Sequence, residues 1–265
     1  MQEVIEKKPP EGIGYFNILL LGQAASGKSS FFNTISTAIA NEKRILEPLS
    51  VLESSDSSVT SKLQTQPLKS HSTGSTLPIR IYDCRGLHKS TGIPTDDIQK
   101  VVQGHIKPGY TFNTYETIKE KDPFYRSKPG LNDAIHCLVY VAKADNPSEA
   151  LTDESVKQQF DKMRSDLCKI NVPQMALINM IDRVGQEKLE DVFWSKSVEN
   201  VCEGARRFLC LPLNHILPMS CYYNEIRPTI VKDTLALFNL NSMLYSANDY
   251  LNAKMKIDTP EDFYD

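Results

Sequence analysis

The sequence has no long apolar run, no metal- or disulfide-spaced cysteines or histidines, and no surplus of charge of either sign. Each absence closes off a class of protein. No apolar stretch approaches the roughly 20 residues of a membrane span, and runs such as Ile18–Leu21 are only strand-length. The six cysteines include no C-x-x-C pair, and Cys84 and Cys137 fall inside apolar runs. That pattern reads as reduced core thiols rather than a disulfide framework. The five histidines, at 71, 88, 105, 136 and 215, make no metal-spaced pair, which argues against zinc. Lys and Arg total 30 against 33 Asp and Glu, a formal net charge of -3. So even a balance offers no broad field to gather nucleic acid, and an anionic ligand must be held by a local site. The first twelve residues (MQEVIEKKPPEG) lack the apolar region of a secretory signal, and the C-terminus carries no prenylation box. We therefore expect a cytoplasmic location, with no nucleic-acid partner and no membrane span.

A chain of 265 residues has room for one large domain or two small ones. Charge, proline and glycine dominate residues 1–13, which read as a flexible leader; 14–256 read as a single domain and 257–265 as an acidic tail. Within the domain short apolar runs alternate with amphipathic ones. Strands are expected over Phe16–Leu21, Pro78–Cys84, Ala134–Val141, Gln174–Ile181 and Ile216–Met219. Helices are expected over Lys28–Asn41, Ser148–Asn171, Ser195–Leu211 and Pro228–Lys254. Continuous apolar strands alternating with helices imply an α/β fold whose parallel sheet is covered on both faces, with ligands bound beyond the carboxyl ends of its strands. Two long loops interrupt this rhythm: a Ser-rich stretch at 42–61, and an insertion at 85–130 with one helix capped at Thr95, with Asp96 and Asp97 in its first turn.

Gly22-Gln23-Ala24-Ala25-Ser26-Gly27-Lys28-Ser29 fits G-x-x-x-x-G-K-[ST] in full, between a strand and a helix opening on Ser29-Ser30. In that setting the glycines let the backbone wrap a polyphosphate, with successive N–H groups and the helix N-terminus pointing at it. Lys28 meets the β- and γ-phosphates, and the Ser29 hydroxyl ligates Mg²⁺. The loop alone does not choose between ATP and GTP. Downstream, Asp83-Cys84-Arg85-Gly86 is a D-x-x-G at a strand's end: Asp83 can reach the magnesium and the Gly86 N–H the γ-phosphate. A magnesium-binding threonine belongs in the mobile stretch between the two. Thr60 fits, standing 23 residues before Asp83, a spacing similar to Ras-like proteins; Ser57 and Ser58 are rivals.

Asn179-Met180-Ile181-Asp182 after the next strand resembles the N-K-x-D base reader of GTPases, with methionine at the lysine position. Asp182 can accept from guanine's N1–H and exocyclic amine, two donors that adenine does not offer there. Ser220, in Met219-Ser220-Cys221, is the one match to an S-A-K-like guanine loop. Leu87 occupies the place of the glutamine that orients water in Ras-like proteins, followed by His88. Leucine cannot position water, so hydrolysis is expected to be slow, or to use His88, a backbone group or a partner residue.

Three blocks together resemble one family: Phe16-Asn-Ile-Leu-Leu-Leu-Gly with Gly27-Lys-Ser-Ser-Phe-Phe-Asn, the insertion segment Val102-Gln-Gly-His-Ile-Lys-Pro-Gly-Tyr-Thr-Phe-Asn113, and Asp133-Ala-Ile-His-Cys-Leu-Val-Tyr-Val141. They are similar to the guanine-nucleotide-binding region of the interferon-induced protein 44 family, from about residue 15 to residue 253. The resemblance implies a Ras-like P-loop G domain with a mostly parallel six-stranded sheet and helices on both faces. It also implies GTP or GDP binding with Mg²⁺, a cytoplasmic site and a role in innate antiviral defence. Vertebrate members commonly carry an N-terminal TLDc-type domain, which has no counterpart in these residues. Two functions remain open: a slow or partner-activated GTPase switch, and a nucleotide-stabilised interaction or assembly module that hardly hydrolyses, its partner an unidentified protein or a second copy. An ATP-dependent phosphotransferase is opposed by Asp182 after Asn179.

Overall fold

A computed structural model describes residues 2–23, 25–41, 44–46, 62–70, 74–85, 93–145, 154–185 and 188–258. Their strands are β1 (Phe16–Gly22), β2 (Gln64–Lys69), β3 (Thr76–Arg85), β4 (Cys137–Lys143), β5 (Gln174–Asn179) and β6 (Ile216–Pro218). They form one six-stranded sheet in the order β2-β3-β1-β4-β5-β6. Every neighbouring pair is parallel except β2 with β3. The helices are α1 (Gln2–Glu6), α2 (Lys28–Ala40), α3 (Thr95–Val102), α4 (Glu154–Ile170), α5 (Lys196–Leu209) and α6 (Ile230–Asp258).

β1 is buried at each residue from Phe16 to Leu21 and β5 along its whole length, because helices cover the sheet on both faces. α6 turns Leu235, Leu237, Leu240, Met243 and Leu244 into the core and packs on α2, β1 and β4, so this long helix is a structural wall of the domain. β2 carries Pro67, which has no N–H for a ladder; the strand tolerates it by lying at the sheet edge, with a register shift between Pro67 and Lys69.

Several expectations need correction. Residues 2–6 of the expected flexible leader are a helix docked on α6: Val4 is 2% exposed, the Tyr245 hydroxyl donates to Glu3, and the Lys7 ammonium sits over the Tyr245 ring. The charged composition concealed that one small apolar contact and two polar ones suffice to anchor it. α6 runs on to Asp258, past the expected domain end at 256. Most of the Ser-rich stretch 42–61, residues 86–92, the start of the helix expected from Ser148, and the tail beyond 258 lie outside the described residues.

The insertion from residue 93 onward is packed structure. Pro94, not Thr95, stands at the N-cap of α3, and no side chain caps it. Asp97 is fully buried and accepts the Ile118 N–H at 3.0 Å, while Lys100 Nζ donates to the Ile118 carbonyl at 3.1 Å. Tyr110 and Ile118 are buried behind it. Gly104, at φ 86, lets this segment pass so close to Asp133 that a Cβ would lie 2.7 Å from its carbonyl carbon. The last clasp is His136. Its Nδ1 accepts the Asn17 N–H of β1 at 3.0 Å, so Nε2 carries the proton and donates to the Leu131 carbonyl at 2.8 Å.

Burial holds the His136 imidazole neutral, with its pKa lowered from 6.5 to about 4 despite the Leu131 hydrogen bond. Its folded pKa lies below the unfolded one, so the native state binds fewer protons and stability falls as pH drops from 6.5 toward 4. The expected loss is about 3 kcal/mol. Urea midpoints at pH 7 and pH 4.5 should differ more for the native chain than for His136→Gln; an equal difference would contradict this account.

Candidate functional site

The parallel register of β1 and β3 pairs Leu20 with Asp83, and that of β4 and β5 pairs Lys143 with Asn179. The predicted phosphate loop, the D-x-x-G aspartate and the base-reader asparagine therefore emerge side by side at the carboxyl edge of the sheet. The loop from Gly22 to Gly27 turns directly into α2. Gly27 adopts φ 97 and Ala25 φ 59, left-handed backbone conformations that turn the loop tightly. Both motif glycines are required by close neighbours. A Cβ on Gly22 would meet the Val141 carbonyl oxygen at 2.3 Å, and one on Gly27 would meet Asn179 Nδ2 at 1.9 Å.

Lys28 is buried, and its Nζ donates to the carbonyls of Gly22 at 2.8 Å and Gln23 at 2.9 Å, holding the ammonium across the loop. Ser29 Oγ donates to Asp83 Oδ2 at 3.4 Å. Asp83 is also buried, and its Oδ1 has no hydrogen-bond partner among the described residues. Burial raises the Asp83 pKa, with Lys28 and the Ser29 hydrogen bond pulling it back down. A buried carboxylate oxygen without a partner is costly unless something cationic completes it.

The donor set suits magnesium. Among the described residues no cluster of three His, Cys, Asp or Glu side chains could cage a metal alone. Ser29 and Asp83 are hard oxygen donors, appropriate to an ion that fills its remaining positions with water and phosphate oxygens.

Asn179 joins the phosphate loop to the base side. Its Nδ2 donates to the Ser26 carbonyl at 3.2 Å and its Oδ1 accepts the Cys221 N–H at 3.3 Å. Met180, at φ 65, turns the chain into a 3₁₀ turn over Ile181–Arg183, which carries Asp182. Ser220 Oγ donates to Asp182 Oδ1 at 2.6 Å and so orients the carboxylate. Between these groups lies a cavity of about 620 Å³ lined by Ala25, Gly27, Ser30, Asn179, Asp182 and Tyr222, among others. That volume lies within the range of small-molecule sites.

Gly22, Gln23, Ala25, Ser26, Gly27, Lys28, Ser29, Ser30, Asp83, Asn179, Asp182 and Ser220 thus share one region of the molecule. Ala24, Thr60, Gly86, Leu87 and His88 lie outside the described residues. Sequence reasoning missed Thr34, whose hydroxyl accepts the Tyr222 N–H at 3.0 Å, and Lys143, Glu225 and Lys232 on the cavity wall. None belongs to a short motif.

The sheet order, with β1 leading through Gly27 into α2 at its centre, is that of a Ras-like P-loop G domain. No protein-family model matches the chain. Interferon-induced protein 44 of Mus musculus is 29% identical over 237 residues, covering 88% of this chain and 55% of that protein. The Homo sapiens protein of that name is 30% identical over 238 residues, 88% of this chain and 52% of its own length. Homo sapiens interferon-induced protein 44-like is 26% identical over 245 residues, 90% and 53%. Over the shared residues the chain is similar to the interferon-induced protein 44 proteins, and it spans about half the length of these curated relatives. Among solved structures, that of a probable GTP-binding protein engB aligns at 13% identity and TM-score 0.47, covering 88% of this chain and 98% of that one.

The Gly27 contact generates a test. Gly27→Ala should destabilise the ligand-free protein by about 1–3 kcal/mol through strain and displacement of Asn179. Combined with Asn179→Ala, the two costs should be less than additive in chemical denaturation. Full additivity would show that the two residues do not press on each other.

Proposed function

We propose that this domain binds GTP or GDP, with the phosphates in the Gly22–Ser29 loop, Mg²⁺ at Ser29 and Asp83, and the guanine base at Asp182. The observation that carries this reading is the double hydrogen bond of Asn179, which makes the phosphate loop and the base side one continuous site. Lys28 supplies charge at the β- and γ-phosphates once it leaves the Gly22 and Gln23 carbonyls. Asp182 keeps acceptor capacity beyond the Ser220 bond, enough for the two guanine donors. Asn179, Asp182 and Ser220 act as base-side residues, and the Gly86 N–H is assigned to the γ-phosphate. Magnesium, when bound, neutralises phosphate charge; Thr60 is our candidate for the switch ligand.

Turnover is slow or partner-activated. The residue after Gly86 is Leu87, which cannot orient water, so that task falls to His88, a backbone group or a partner residue. Leu87 also favours a second reading, an assembly module stabilised by nucleotide that hardly hydrolyses it. Kinship to proteins named for interferon induction supports a role in innate antiviral defence, in the cytoplasm, with a protein partner or a second copy as effector. No described helix is long and apolar enough to cross a membrane.

Lys28→Ala should weaken GDP binding at least about a hundredfold by calorimetry, since charged hydrogen bonds to phosphate are lost; unchanged affinity would refute the phosphate site. Asp182→Asn should lower GDP affinity and raise that for xanthosine diphosphate, whose base carries a carbonyl where guanine has its amine. GTP turnover on the order of 10 per second in the isolated monomer, the median for enzymes, would contradict the slow-hydrolysis reading.

A further inference from the structure

The wall of the cavity beside Asp182 is the segment following β6, and its backbone is held by side chains rather than by a ladder. The Cys221 N–H is taken by Asn179 of β5 and the Tyr222 N–H by Thr34 of α2. The next two amides, of Tyr223 and Asn224, donate to Glu225 Oε2 at 2.8 and 3.1 Å. Lys232, in the first turn of α6, ties the rest together. Its Nζ donates to the Cys221 carbonyl at 3.1 Å, pairs with Glu225 Oε1, and lies 5.6 Å from the centre of the Tyr222 ring. The Tyr222 hydroxyl donates to Asp233 at 2.8 Å and accepts the Thr229 N–H at 2.8 Å, anchoring the same turn to the start of α6.

Partial burial opposes ionisation of Glu225, but hydrogen bonds from Lys232 and from the Tyr223 backbone outweigh it and bring its pKa to about 2. Glu225 is therefore ionised throughout the neutral range. An exposed ion pair would do little. Here the Lys232 side chain is only 13% exposed, and both partners line the cavity itself. The peptide that Lys232 grips, Cys221, directly follows Ser220, whose hydroxyl orients the Asp182 carboxylate.

We propose that Lys232, with Glu225, is a positioning residue for base selection: by fixing the Ser220–Asn224 turn it holds Ser220 against Asp182 and so sets the preference for guanine. This rests on the guanine-nucleotide reading of the cavity. Lys232 acts through the Cys221 carbonyl, and its loss loosens the turn on the base side while the phosphate loop, which Lys232 does not touch and which Asn179 Nδ2 holds at the Ser26 carbonyl, is unchanged. Base discrimination should therefore suffer more than phosphate binding.

The test is calorimetric titration of the full chain with GDP and with ADP, each with Mg²⁺, for the native protein, Lys232→Met, Lys232→Arg and Glu225→Gln, with ligand-free melting curves alongside. Lys232→Met should reduce the GDP-over-ADP preference about tenfold, mainly through weaker GDP binding. Lys232→Arg, which keeps the charge and donors, should restore most of it. Glu225→Gln should shift the preference in the same direction by a smaller factor, and it decides the matter if the methionine variant does not fold. Equal weakening of GDP and ADP, or no change in the ratio, would overturn the inference and leave the guanine reading standing. A native chain that binds GDP and ADP equally well would overturn both.

Discussion

The close approach of Gly27 to Asn179 is the constraint on which the rest of the site depends. The end of the phosphate loop and the end of β5 can lie this near only because Gly27 has no Cβ. That proximity lets one amide side chain bond the Ser26 carbonyl on one side and the Cys221 N–H on the other. Three chain segments far apart in sequence are thereby locked at the carboxyl edge of the sheet. The parallel register of β1, β3, β4 and β5 brings them there, and the glycine lets them touch.

Charge follows from the same packing. Lys28 and Asp83 are both buried next to the loop and carry opposite charges, and Asp83 Oδ1 has no hydrogen-bond partner among the described residues. A pair of opposite charges held in low dielectric costs stability unless it is completed. Polyphosphate and a divalent cation would complete both at once, which explains why a protein with a formal net charge of -3 need not rely on a wide basic surface. The base side is built from weaker elements. Its turn is fixed by side chains of α2, β5 and α6, so it can loosen at α6 while the contact between Gly27 and Asn179 stays in place.

Those parts of the molecule that obey a short-range rule were legible in the sequence. The strand, glycine loop and helix of the phosphate site follow from local backbone demands, and the apolar runs of β1, β4 and β5 follow from burial on both faces. The aspartate of D-x-x-G and the Asn179–Asp182 pair are legible because each stands at a strand's end, where a parallel sheet exposes its ligands. What escaped was long-range. α1 looked like a solvated leader because its anchor is Tyr245 at the far end of the chain. The insertion looked loose because nothing local reveals that Asp97 binds the Ile118 amide, or that His136 reaches back to Asn17. Lys232 and Glu225 resemble any exposed helix-start pair until Cys221 is seen beneath them.

The central claim is that the cavity between Gly27 and Asp182 is a guanine-nucleotide site. Nucleotide extracted from the freshly purified, undialysed protein and identified by chromatography and mass tests it most directly. The account predicts GDP or GTP retained in near-stoichiometric amount by the native chain and absent from Lys28→Ala. Retained adenine nucleotide, or equal guanine nucleotide in both proteins, would contradict it.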